Sequence, residues 1–128
     1  MTARPSVLIV DDDVGMVDTL RDVFDAKGYD AATAHSGQAA VAMIERKPYD
    51  VVLMDIQMPG LNGIQTLQAM RRHVPGIPVI MMTAFTRHEL VEEAKRAAVA
   101  VLSKPLELDD VLGLIERTIR AAKRRRPP

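Results

Sequence analysis

Three carboxylates, a hydroxyl and an ammonium stand at matching places in this chain. Asp11 and Asp12 follow the apolar run Val7-Leu8-Ile9-Val10, and Asp55 follows Val51-Val52-Leu53-Met54. Thr83 follows Val79-Ile80-Met81-Met82, and Lys104 follows Val101-Leu102-Ser103. If these runs are neighbouring parallel strands, the five side chains converge at one sheet edge. Carboxylates crowded together repel one another and hold raised pKa values unless a cation sits among them. A hard divalent ion such as Mg²⁺ takes oxygen ligands, often with only one or two protein carboxylates. Asp12 and Asp55 could bind such an ion directly and Asp11 through water, with a main-chain carbonyl after Asp55 as a further ligand. Lys104 adds a fixed positive charge and Thr83 a donor. This set suits a phosphoryl group in transfer, a reaction carried mostly by positioning and charge neutralisation. One carboxylate can then be the nucleophile and become an aspartyl phosphate.

The elements that must position these groups alternate along the chain. Continuous apolar runs at residues 7–10, 51–54 and 79–82 read as strands, the first with the signature of burial on both faces; residues 101–103 read as a fifth strand and residues 30–34 as a weaker one. Between them lie helical spacings: Val14, Val17, Leu20 and Phe24 up to a stop at Gly28, then Ala40, Met43 and Ile44 behind a Ser36 cap and before Pro48. Residues 59–63 read as a loop, followed by a helix with Ile64, Leu67 and Met70. Leu90, Val91 and Ala94 mark a fourth helix. Leu108, Val111, Leu112, Ile115 and Ile119 mark one apolar face of a fifth. The expected fold is α/β: a five-stranded parallel sheet with helices on both faces, a flavodoxin-like doubly wound (βα)5.

Composition narrows the function. The 128 residues suit one domain, and nearly half are apolar. Two Phe, two Tyr and no Trp leave an aliphatic core, and the absence of Cys removes disulfides, thiolate catalysis and Cys-bound zinc. No signal peptide or bilayer-spanning run of roughly 20 residues is expected. The formal net charge is zero but unevenly spread: residues 117–128 hold six bases and no acid, leaving eleven bases against seventeen acids in 1–116. The tail reads as a solvated helix end, since cations suit a helix C-terminus, with a partner or nucleic-acid contact as the second reading. Asp13 reads as a helix cap, and His35, His73 and His88 as surface residues. No phosphate-cradling glycine motif or G-x-S-x-G occurs.

In order and spacing, VLIVDDD, VVLMDIQMPGLNG, VIMMTA and LSKPLEL resemble the motifs of response-regulator receiver domains of two-component signalling. The resemblance covers about residues 5–122. It implies a receiver domain over 1–122, with 123–128 a basic tail or the start of a linker. Asp55 is then the phosphoacceptor, taking its phosphoryl group from a sensor histidine kinase or a histidine phosphotransfer protein. Asp11, Asp12, Asp55 and the main-chain carbonyl of Gln57 hold Mg²⁺, for which Mn²⁺ can substitute. Thr83, Ala84 and Lys104 contact the phosphoryl group and pass on its presence, and the Lys104-Pro105 bond is cis. Such a protein is not an enzyme in the ordinary sense, though it assists its own phosphorylation and dephosphorylation. The resemblance also implies a cytoplasmic location and a downstream partner, output domain or homodimer contact on the helix 4, strand 5 and helix 5 face, about residues 87–122. No membrane partner or direct nucleic-acid binding is expected.

Two departures qualify the resemblance. Val101 stands where the family usually has the Tyr or Phe that swings inward on activation, and Ala97-Ala98 stands where Gly-Ala is common. Gln57 and Phe85 occupy positions that tune water access to the phosphate. Val101 supports an alternative, a receiver-like binding module that works without phosphate. A third reading, a phosphatase of the haloacid-dehalogenase type, finds its D-x-D in Asp11-Asp12-Asp13. However, Gly15 replaces the Thr or Val of that family, and 128 residues leave no room for its usual cap. No helix-turn-helix, ATPase or other output module is expected in the chain.

Overall fold

A computed structural model of the protein describes residues 4–84 and 89–125. Among these, five strands alternate with five helices: β1 (Ser6–Val10), α1 (Val14–Ala26), β2 (Asp30–Ala34), α2 (Gly37–Arg46), β3 (Val51–Asp55), α3 (Gly63–His73), β4 (Val79–Thr83), α4 (Glu89–Ala97), β5 (Ala100–Ser103) and α5 (Leu108–Arg125). The strands pair in parallel in the order β2-β1-β3-β4-β5. This is the flavodoxin-like, doubly wound sheet that the alternating pattern predicts.

The apolar runs fill two cores because strand side chains alternate faces. Leu8, Val10, Val52, Met54 and Met81 pack with Ile44, Leu67 and Val91 from α2, α3 and α4. Val7, Ile9, Val51, Leu53, Ile80 and Met82 pack on the other face with Phe24 of α1 and with Ile115 and Ile119 of α5. Each such fully buried side chain contributes about 1.5–3 kcal/mol, offset by the entropy of ordering the chain. β5 is an edge strand with its apolar residues only half-buried.

Caps fix where the helices begin. The Asp13 carboxylate accepts the Met16 N–H at the start of α1, and Ser36 accepts that of Ala39 at the start of α2. Asn62 and Gln65 cap α3 reciprocally, at 2.9 Å each way. Gly28, at φ 95°, turns the chain after α1 in a conformation that disfavours a Cβ. No helix among the described residues is long and apolar enough to cross a membrane.

The structure departs from the sequence expectation in small ways with clear causes. β1, β3, β4 and β5 each run one residue further than their apolar runs. Asp55 and Thr83 thus belong to their strands, and the Ile56 N–H continues the ladder to the Met82 carbonyl at 2.9 Å. Gly63, expected in a loop, opens α3. Val14 and Leu108, expected on buried helix faces, are exposed because each opens its helix beyond the strands that the later turns cover.

Candidate functional site

The chain order reverses between β1 and β3, and the crevice beyond their C-terminal ends is where such sheets offer a site. Asp11 and Asp12 follow β1, Asp55 ends β3, Thr83 ends β4 and Lys104 follows β5. The Lys104 N–H donates to the Thr83 carbonyl at 2.8 Å, tying the segment after β5 to β4. The Lys104-Pro105 peptide bond is cis.

Lys104 reaches across the sheet end into the acids. Its Nζ lies 2.8 Å from Asp11 Oδ2 and 3.2 Å from Asp55 Oδ2. Asp11 is only 1% exposed, and its other oxygen accepts the Asp13 N–H at 3.0 Å. Asp55 Oδ1 accepts the Gln57 N–H at 3.3 Å. Asp12 is exposed beside them, and one oxygen from each of Asp11, Asp12 and Asp55 falls within 4.8 Å of the others.

Three carboxylates face one nearby ammonium, so the pocket is under-neutralised. Burial pushes the Asp55 carboxyl above its ordinary pKa and the Asp11 charge pushes it further; Lys104 and the Gln57 N–H oppose this without cancelling it. For Lys104, burial acts to lower the pKa. The hydrogen bond to Asp11 and the two carboxylate charges outweigh burial, and the net shift is upward. An all-oxygen donor set with excess negative charge fits a hard divalent cation, and these residues could hold one.

The other expected site residues lie close by in the fold. Thr83 is buried, Ala84 is exposed beside it and Gln57 is half-buried. Val101 sits in β5 opposite Met81, partly buried against the core shared with α4. Phe85 and His88 lie outside the described residues. His35 is exposed, and the exposed His73 bonds Glu45 through Nε2 at 2.8 Å.

Two supports of the site escape a reading by residue type. At Gly63 a Cβ would stand 2.6 Å from the Asp55 carbonyl oxygen and 2.8 Å from Ile56 Cα, so a side chain there would displace the β3 end. The second is an apolar groove of about 370 Å³ beside Lys104, lined by Met16, Leu20, Pro105, Leu106 and Leu108. Helical periodicity assigned Leu20 and Leu108 to the core alike, which hid it.

Comparison with known proteins agrees with this fold. The family profile described as "Response regulator receiver domain" matches residues 7–116. Transcriptional regulatory protein ZraR of Salmonella typhimurium is 38% identical over 114 residues, which are 88% of this chain and 26% of that protein. This chain thus spans about a quarter of the length of the curated relatives it matches first. Sporulation initiation phosphotransferase F of Bacillus subtilis is 32% identical over 87% of this chain and 90% of its own length. A CheY-like receiver domain protein from Methanospirillum hungatei superposes with a TM-score of 0.89 at 26% identity, covering 94% of this chain and 98% of that one.

Proposed function

The chain belongs to the response-regulator receiver family, and from that premise we propose that it is a signalling switch in which Asp55 accepts a phosphoryl group from phosphohistidine. The donor is a sensor histidine kinase or a histidine phosphotransfer protein. The supporting observation is the Lys104 ammonium held between Asp11 and Asp55, at a sheet end with more acid than base.

An Asp55 carboxylate oxygen attacks phosphorus. The new P–O bond forms as the donor's P–N bond breaks, and the leaving imidazole takes a proton from solvent. Mg²⁺, or Mn²⁺ in its place, would be held by Asp11, Asp12, Asp55 and the Gln57 carbonyl and would supply charge compensation at the phosphoryl oxygens. Lys104 gives up its bond to Asp55 and follows the phosphoryl group. Thr83 and Ala84 border the same oxygens. The protein is not an enzyme acting on other molecules; it takes part in gaining and losing its own phosphate.

The donor must cross the rim of the pocket, where Val14 is 50% exposed and Leu108 is 42% exposed next to the apolar groove. These side chains suit an apolar contact with the donor protein. In this reading residues 1–122 are the receiver unit in the cytoplasm, and 123–128 a basic tail or linker start.

Phosphate adds about −1.5 to −2 charge. Lys104 and Thr83 are drawn toward it, moving the segments after β4 and β5 and reshaping the face of α4, β5 and α5. That face engages the downstream partner or a second copy. Val101 has no ring to reorient, so the output is a population shift between close states rather than a large movement. The same valine favours the second reading, a module that binds without phosphate. Amide exchange with and without a small acyl phosphate separates the two. The switch predicts altered protection on α4, β5 and α5 that vanishes in Asp55→Asn. Unchanged protection favours the second reading, and change confined to α1 and α2 overturns the α4, β5 and α5 output face.

A further inference from the structure

We propose that the cleft at the opposite end of the sheet from Asp55 is a docking site for an acidic, apolar-anchored segment of a partner protein. The parallel connections return the chain from one sheet edge to the other, so the helix C-termini gather at the basal edge. There α2 ends in Arg46, α3 in Arg71 and Arg72, α4 in Lys95 and Arg96, and α5 in Lys123, Arg124 and Arg125. The first turns of α4 and α5, at the phosphoacceptor edge, carry Glu89, Glu92, Asp109 and Asp110 instead. Four of the five helices are therefore basic at this end, α1 having no base in its last turn, while the opposite edge gathers these acids with Asp11, Asp12 and Asp55. Complementing the helix dipoles accounts for bases at helix ends, but not for an apolar cleft between two of them.

That cleft encloses about 570 Å³ between the turn after α3 and the last turns of α5, within the range of about 300–1,000 Å³ typical of ligand pockets. Val74, Ile77, Val99 and Tyr49 line it, with Arg71 and Arg125 also on its wall. Val99 is 51% exposed and gives the cleft an accessible apolar side chain between the two arginines' helices. Asp50 also borders the cleft, and its Oδ2 is engaged by the Ser6 N–H at 2.8 Å. Among the described residues neither Arg71 nor Arg125 forms an ion pair.

Two positive groups beside an apolar wall match an apolar side chain flanked by carboxylates. A nucleic acid fits less well. It needs an unbroken basic track, usually with stacking aromatics. Here Lys47 is paired with Asp30 and Lys95 with Glu92, and Tyr49 is almost fully buried. The cleft lies at the opposite end of the sheet from Asp55, so docking there does not require a phosphoryl group.

Fluorescence anisotropy with a labelled eight-residue peptide, Leu-Phe flanked on both sides by Asp and Glu, tests the proposal on the full chain. The acidic peptide is expected to bind, at least tenfold more tightly than its Asn and Gln counterpart, and more weakly as salt rises. The double variant Arg71→Glu and Arg125→Glu, and separately Val99→Asp, should each lose at least tenfold in affinity while still unfolding in one cooperative transition. Asp55→Asn should bind as the wild type does, so the result stands apart from that of the phosphoacceptor reading. Any of four outcomes overturns the proposal: no binding, equal affinity for the neutral peptide, affinity untouched by the cleft variants, or tighter binding of a duplex DNA probe. So would self-association of the chain that the same variants abolish.

Discussion

Lys104 offsets part of the negative charge of the metal-free pocket, because its ammonium is bonded to both Asp11 and Asp55. Replacing it with Met leaves two crowded carboxylates without that partner, one of them almost fully buried. Losing one partner of a buried pair costs about 3–5 kcal/mol. Lys104 is partly solvated, so the lower end, about 3 kcal/mol in a urea titration without Mg²⁺, is the expected loss. Asp55 works in the other direction. Its pKa is raised in the fold, so its contribution to stability is full below the ordinary carboxylate range and is lost as pH rises through the folded value. At neutral pH the ionised group is a burden. Asp55→Asn should therefore raise the melting temperature of the metal-free protein at pH 7, at about 4 °C per kcal/mol gained. The gain should shrink as the pH approaches the ordinary carboxylate pKa. An unchanged or lower melting temperature at pH 7 would mean that Asp55 is not held against its charge. Lys104, with its pKa raised, stabilises the fold at neutral pH and loses that effect as pH rises through its own elevated value.

At the scale of elements, the tight place is the joint between β3 and α3. The Gly63 N–H bonds the Ile56 carbonyl, and a Cβ would collide with backbone atoms that cannot turn aside. Gly63→Ala should destabilise by about 1–3 kcal/mol, as overpacking does. It should also slow labelling of Asp55, because the strand end carrying the acid must shift. Wild-type stability in that variant would mean that the joint has slack. The rim above the site gives a second test. Val14→Asp and Leu108→Asp should slow transfer from a phosphorylated histidine kinase at least tenfold and leave labelling by a small acyl phosphate unchanged. Equal slowing of both would place their effect inside the pocket. Much of this architecture is legible in the sequence. A charge that ends an unbroken apolar run marks a strand's C-terminal edge; Asp11 and Asp55 show that signal, and Lys104 shows it one serine later. Less legible was anything set by three-dimensional closure. The Lys104–Asp11 bond spans 93 residues. The exposure of Val14 and Leu108 depends on where each helix begins relative to the sheet, which a 3.6-residue period does not encode. Gly63 looked like a loop glycine because its near-contact comes from the backbone of β3.

Over the whole molecule, ligand and fold are linked through one pocket. A divalent ion that binds the folded chain stabilises it by about 2.7 kcal/mol at a hundred times its dissociation constant. Mg²⁺ should therefore raise the melting temperature of the wild type, and Asp12→Asn, which removes the exposed acid, should blunt that rise. An equal rise in both would put the ion elsewhere. The most direct measurement of the central claim is peptide mapping of the phosphorylated chain. The purified protein is treated with a small acyl phosphate in the presence of Mg²⁺ or of a chelator and then digested. One phosphoryl group is predicted on the peptide containing Asp55, formed with Mg²⁺, absent with the chelator and absent in Asp55→Asn. Incorporation without the ion, phosphate on any other residue, or no incorporation with Mg²⁺ present would contradict the account.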